Sequence, residues 1–359
     1  MLTGGASGAL LLLIVLVSTE ARFLLRAGWQ EARILWGRRP IAELIADPAT
    51  TAERREQLRM VLDARAFADR RLGLAADDTY TTFSDVGDGP LLHVVSASRK
   101  DRLQAYHWRY PIVGAVPYKG FFELEDALAE QRRLEKAGYD TWLREASAFS
   151  TLGWFSDPLL STALGDDADL VSTVIHEISH NTLWVQSEAR FNESYANFVG
   201  LRGAEIFFAT RGDADSAERC AAIWRDEKRL GAFYTGLAED LQALYGRDLP
   251  PRELEAHRAA LFASARATLA GPLDRQLEVY SGRAMSRRPL NNAVILAQRI
   301  YRTGLGEFDR LYAFTGDDLR QSIREIGRLV RDNRRQDPLQ AVALAASPRL
   351  RGPRAQRAS

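Results

Sequence analysis

Between Val171 and Gln186 the chain reads VSTVIHEISHNTLWVQ, with Glu177 as its single charged residue and neither Gly nor Pro to interrupt it. Such a stretch forms a helix buried over most of its surface, and a buried helix obliges the rest of the chain to cover it. One helical turn takes 3.6 residues, so His176 and His180, at i and i+4, project from one face with Glu177 beside them. Two imidazoles so placed can grip one ion, and a neighbouring carboxylate can take the proton of an attacking water, which is the logic of an HExxH sequence. The structural alternative is a core helix whose two His are satisfied by hydrogen bonds.

The chain has one cysteine, Cys220, so an intrachain disulfide and a Cys-rich zinc ribbon are both excluded. Any metal must be held by His and carboxylate. A catalytic Zn²⁺ takes three protein ligands, and the spacing predicts where the third lies. If the first helix ends near Trp184 to Gln186 and a short turn leads to a helix starting at Asn192, the second helix returns antiparallel with Glu193 level with His180. Glu188, in the turn, and Glu205, about three helical turns farther on, are the rivals. The expected site is therefore one Zn²⁺ per chain on His176, His180 and Glu193.

Around this centre the periodicity changes twice. Residues Phe23 to Ile45 fit two short helices, the second starting at Pro40, and an amphipathic helix follows from Asp47 to near Gly73. From Thr79 to Phe122 the chain is rich in Thr, Val, Tyr and Phe and divided by Gly and Pro, which reads as strands of a sheet. Glu123 to Gly138 reads as a helix, and Tyr139 to Glu145 and Ser147 to Phe155 as two further strands. Beyond Glu193 helices are expected over Ser194 to Ala209, Ser216 to Tyr245, Arg252 to Leu269, Asn292 to Thr303 and Asp317 to Asp332. The fold class is α+β and predominantly helical: a small mixed sheet packed with the HExxH helix, then a helical C-terminal lobe. One domain of about 22–335 is expected, with a sheet-containing half to 170 and a helical half from 171, followed by a disordered basic tail over 336–359.

The 48 basic residues nearly cancel the 47 acidic ones, so no overall field recruits nucleic acid. Ala9 to Val17 is an unbroken apolar run, shorter than the roughly 17 to 25 residues of a membrane span, and matches a signal-peptide core. Residues 1–21 are read as an export signal or membrane anchor, which places the remainder in the periplasm or at the inner membrane facing it. Arg22, Arg26 and Arg33 follow the run, contrary to the positive-inside rule for that orientation, and a buried N-terminal helix is the alternative.

His176-Glu177-Ile178-Ser179-His180, followed by Phe191-Asn192-Glu193-Ser194-Tyr195-Ala196, resembles the gluzincin metallopeptidases, whose second motif in the aminopeptidase branch is Asn-Glu-Gly-Phe-Ala. Arg39-Pro40-Ile41, Ala46-Asp47-Pro48, Pro111-Ile112-Val113-Gly114, Val116-Pro117-Tyr118, Ser150 to Phe155 with Asp157-Pro158, and Leu290-Asn291-Asn292-Ala293 resemble a bacterial family of predicted zinc aminopeptidases over nearly the whole chain. The resemblance implies peptide substrates and hydrolysis of the peptide bond, with Glu177 as general base and then acid. Twelve residues separate His180 from Glu193, against roughly eighteen in the better-studied gluzincin aminopeptidases, and no Gly-x-Met-Glu-Asn segment is present. A zinc endopeptidase therefore stays open beside an aminopeptidase. So does a catalytically silent helical binding protein with a structural metal. Tyr280 and Tyr301 are the candidates to stabilise the oxyanion, Asn192 and Asn197 to orient ligands, and Gly153 and Trp154 to offer a strand edge to substrate.

Overall fold

A computed structural model describes residues 29, 32–87, 89–110, 114–146 and 158–346. The chain is predominantly helical α+β, with its strands in small sheets of two and three. Residues 32–36 are helical, and after strand β1 (Arg39–Pro40) the short helix α1 (Ile41–Ala46) begins. Helix α2 (Ala52–Phe67) is capped by Thr51, whose side chain accepts from Arg54 N. It passes into a π-turn that stops at Gly73, where φ is +73° and a side chain would be strained.

The strands expected as one sheet form three. β2 (Thr82–Ser84) lies between β1 and β8 (Leu159–Leu160), antiparallel to the first and parallel to the second, a mixed sheet. β3 (Leu92–Arg99) is flanked by β6 (Tyr118–Phe121) and β7 (Tyr139–Ala146), both antiparallel. β4 (Trp108–Tyr110) and β5 (Gly114–Val116) pair alone. The division follows burial: Val95, Ala97 and Phe121 gather with Ala127 and Leu134 of helix α3 (Leu124–Lys136) into a separate small core. The strand expected at Ser147 to Phe155 lies outside the described residues.

β8 delivers the chain to helix α4 (Asp167–Thr182), the HExxH helix. Asp166 caps it by accepting from Ala168 N, and Asp167 and Asp169 in its first turn complement the helix dipole. Leu170, Val171, Val174, Ile175 and Ile178 are fully buried, in one cluster with Leu58 and Val61 of α2 and with Phe191, Tyr195, Phe198 and Val199 of helix α5 (Ala189–Thr210). The expected halves thus share a core. Helices α6 (Ala214–Tyr245), α7 (Pro251–Thr268), α8 (Gly282–Ser286), α9 (Asn292–Tyr301), α10 (Leu305–Phe314), α11 (Leu319–Asp332) and α12 (Pro338–Ala345) complete the lobe.

The first part of the tail expected to be disordered from residue 336 is helical. Asp337 caps α12, and Ala341 and Val342 bury their side chains, so this stretch of small residues packs as a helix. Residues 347–359 and the segment 1–21 lie outside the described residues. Among the described residues, no helix is long and apolar enough to cross a membrane.

Candidate metal centre

α4 and α5 pack so closely that Gly200 on α5 has no room for a side chain and Gly203 has little. A Cβ on Gly200 would stand 2.7 Å from the Ser172 carbonyl oxygen and 3.1 Å from His176 Cβ, and one on Gly203 would meet Ile175 Cγ2 at 3.0 Å. The connection is fixed at its other end by Asn192, fully buried, whose amide accepts from Val185 N at 2.9 Å and donates to Val185 O at 2.8 Å. Asn192 therefore ties down the loop between the two helices and seats the residue after it, Glu193. α5 begins three residues before the expected start at Asn192, with Glu188 at its N-cap.

Glu193 meets both histidines. Its Oε2 lies 3.3 Å from His176 Nε2 and its Oε1 3.8 Å from His180 Nε2. The imidazole centroids are 4.9 Å apart at 86°, and one donor atom from each of the three residues falls within a 4.8 Å span. Two ligands about 2.1 Å from one tetrahedral ion stand about 3.4 Å apart, so the donor set fits a single metal ion. The side chains keep 16% to 19% of their surface exposed, which leaves an open side. Glu188 and Glu205 are not in the group; Glu205 pairs with Arg202 at 2.7 Å.

The electrostatics suit this use. Burial, then the charge of His176, pushes the His180 imidazole down to about 4, although Glu193 opposes them, so at neutral pH it is an uncharged lone-pair donor. Burial pulls on His176 in the same sense, but the hydrogen bond to Glu193 and the charges of Glu177 and Glu193 outweigh it and raise the group. Glu193 resists the upward push of burial because His176 and His180 favour its carboxylate, and it ends lowered. Among the described residues, Nδ1 of His180 is buried without a hydrogen-bond partner, and Trp184 meets that ring edge-on at 5.3 Å.

Tyr301 ends α9 beside this group. Asn197 Nδ2 donates to the Tyr301 carbonyl at 3.4 Å and to Glu227 Oε2 at 3.3 Å, while Ser194 Oγ accepts from Thr303 N at 3.0 Å. Both anchors lie within about one helical turn of Glu193. Asn197 thus acts on Tyr301 and Glu227. Desolvation, then the charge of Glu193, pushes the Tyr301 phenol up to about 12, with Arg144, Tyr118 and Glu177 as its other electrostatic neighbours. Tyr280 stands elsewhere: burial and Glu227 raise its phenol, next to the Glu227–Arg302 ion pair of 2.7 Å, and Glu193 is not among its charged neighbours. Gly153 and Trp154 lie outside the described residues.

Tyr118 on β6, which the sequence offers only within a family motif and with no site role, and Arg144 on β7, which it does not offer, both act electrostatically on residues of the site. The Tyr118 phenol is raised by burial and by Glu193, with Arg144 opposing. Only strand register brings these residues together, so single-chain periodicity offers little signal for them. Gly200 and Gly203, three apart on an apolar helix face, were a legible sign of close packing.

Fold and site together define a predominantly helical α+β protein built round a His-His-carboxylate group able to hold a metal ion. A family model described as "Putative aminopeptidase" matches residues 22–339, and the chain belongs to that family. The family's description supports a peptidase. No curated protein and no solved structure matches the chain.

Proposed function

We propose that the chain is a zinc metallopeptidase, with aminopeptidase action as the first reading, in which His176, His180 and Glu193 hold the ion. The observation that carries this is the donor set within 4.8 Å on a mostly buried but accessible site, with Glu177 on the same helix. When bound there, Zn²⁺ would polarise the scissile carbonyl and make water a competent nucleophile near neutral pH. Glu177 takes the proton of the attacking water and returns it to the leaving amine. Tyr301, protonated at neutral pH like any tyrosine and held so farther into the alkaline range by its surroundings, can donate its O–H to the oxyanion. Three protein donors with an open side suit a catalytic centre, whereas structural zinc sites are closed by a fourth ligand.

The test is a pair of measurements on Glu177→Gln. Elemental analysis should find about one zinc per chain in both proteins, while peptide hydrolysis falls roughly 10²- to 10⁴-fold in the variant. Unchanged turnover would overturn the assignment. Digestion of a peptide library with free and blocked N-termini separates the aminopeptidase from the endopeptidase.

A further inference from the structure

The wall opposite the donor set carries a cation that hydrolysis itself does not use. In the sheet β6-β3-β7, Tyr118 and Trp142 pair with Ser96, and Gly120 and Arg144 pair with Val94. Cross-strand partners share a face, and Val95, Ala97 and Phe121 pack with α3 on the other one. Tyr118, Trp142 and Arg144 therefore stand on the face away from α3.

The start of α9 is fastened to the start of β7. Asn291 Nδ2 donates to the Thr141 carbonyl at 2.9 Å and Asn292 N to Asp140 Oδ2 at 3.0 Å, and Asp140 is held in turn by the buried Arg258. From that anchor β7 needs about 13 Å to reach Arg144, and α9 needs about 14 Å to reach Tyr301. α9 packs along both β3 and β7, so the two side chains come level at the far end, where Asn197 holds Tyr301 one turn from Glu193. The charges of Arg144 and Glu193 both act on the same two phenols, Tyr118 and Tyr301. Both tyrosines are thus within electrostatic reach of the cation and of a metal ligand.

Arg144 is half-buried, and among the described residues no carboxylate pairs with it; its guanidinium lies 5.7 Å from the Trp142 ring centroid. Arg202, Arg258 and Arg302 each have a carboxylate partner, and Arg55 and Arg65 donate to backbone carbonyls; among the described residues Arg144, like Arg299, has neither. A partly desolvated guanidinium kept without an anion is suited to accept one from a ligand.

We propose that Arg144, flanked by Tyr118 and Tyr301, is a carboxylate subsite, so that the preferred substrates are peptides bearing a carboxylate near the scissile bond. The carboxylate comes either from the free C-terminus of a short peptide or from an Asp or Glu side chain. This substrate class rests on the peptidase reading, and the test keeps the two apart by reading binding as well as turnover.

Zinc-loaded Glu177→Gln protein is titrated calorimetrically with two matched pairs: trileucine against its C-terminal amide, and Leu-Glu-Leu amide against Leu-Gln-Leu amide. The acid of at least one pair should bind about tenfold tighter than its neutral mate, and the pair that discriminates identifies the source. Adding Arg144→Gln should abolish the preference, and Arg144→Lys should keep part of it, with the melting temperature of each checked against the parent. Equal affinities in both pairs, no measurable binding of either acid, or a preference that survives Arg144→Gln would overturn the subsite. Acid preference without turnover of any peptide by the unsubstituted chain would sink the peptidase reading and leave the subsite standing. Turnover without acid preference would do the reverse.

Discussion

The two walls of the candidate site are built on different physical terms. The α4–α5 wall is fixed by packing: Gly200 admits His176 at close range, Asn192 clamps the loop with two hydrogen bonds, and the surrounding side chains are fully buried. The facing wall, from β6, β7 and the end of α9, rests on its own apolar cores but carries Tyr118 and Tyr301, 42% and 40% exposed, with Tyr301 held by its backbone carbonyl. Interiors packed at crystal-like density do not deform continuously, so the first wall suits a fixed metal geometry. Side chains with one exposed edge can adjust to a ligand. Under the proposed reading, the difference gives the metal ligands and Glu177 to the α4–α5 wall, and the oxyanion donor Tyr301 and the carboxylate subsite to the facing one.

The largest test of that division is on the facing wall. Tyr301→Phe keeps the ring and removes the O–H; if the phenol donates to the oxyanion, kcat should fall roughly 10²- to 10³-fold, about 2.7 to 4 kcal/mol. Zinc content and melting temperature should stay at parental values. A loss confined to KM would show that Tyr301 binds substrate without serving the transition state. On the rigid side, Gly200→Ala adds one methyl against the Ser172 carbonyl and His176. Overpacking of this kind costs about 1 to 3 kcal/mol, read as a lower midpoint in urea, and parting the helices should weaken zinc binding at the same time. Parental zinc affinity in a destabilised Gly200→Ala would show that the ligand geometry does not depend on the helix contact.

The same contrast explains what could be read in advance. His176, Glu177 and His180 lie on one helix, where spacing alone decides which side chains meet, and Glu193 follows after a turn short enough to leave few geometries. Most helices from 189 to 332 announced themselves by apolar periodicity, although α8 and α10 fell between expected elements. Residues whose placement depends on pairing across the chain were not legible. Arg144 reaches the site through the register of β7 on β3, and Tyr280, an equal candidate to Tyr301 in sequence, is drawn to Glu227 and Arg302 by packing in the helical lobe. The division into three sheets depended equally on which face α3 would cover.

The smallest expected effect concerns protons on the rigid wall. Without metal, the raised His176 and lowered Glu193 describe an imidazolium held by a carboxylate, whereas His180, at about 4, is neutral over the physiological range. A metal ion needs both imidazoles uncharged, so binding at a pH below the His176 value must expel one proton. Zinc affinity should then rise about tenfold per pH unit, about 1.4 kcal/mol, up to that value and level off above it. The metal-free chain should respond with the opposite sign. A His whose folded pKa lies above its unfolded value, about 6.5, contributes its stabilisation fully below the unfolded pKa and loses it as pH rises through the folded one. The increase in melting temperature on adding zinc should accordingly grow from pH 6 toward pH 8. Calorimetry at pH 6 in buffers of different ionisation enthalpy should count close to one proton released per zinc at low pH and fewer as pH rises. A release of zero at pH 6, with affinity flat across the range, would mean that Glu193 does not hold His176 protonated before the metal arrives.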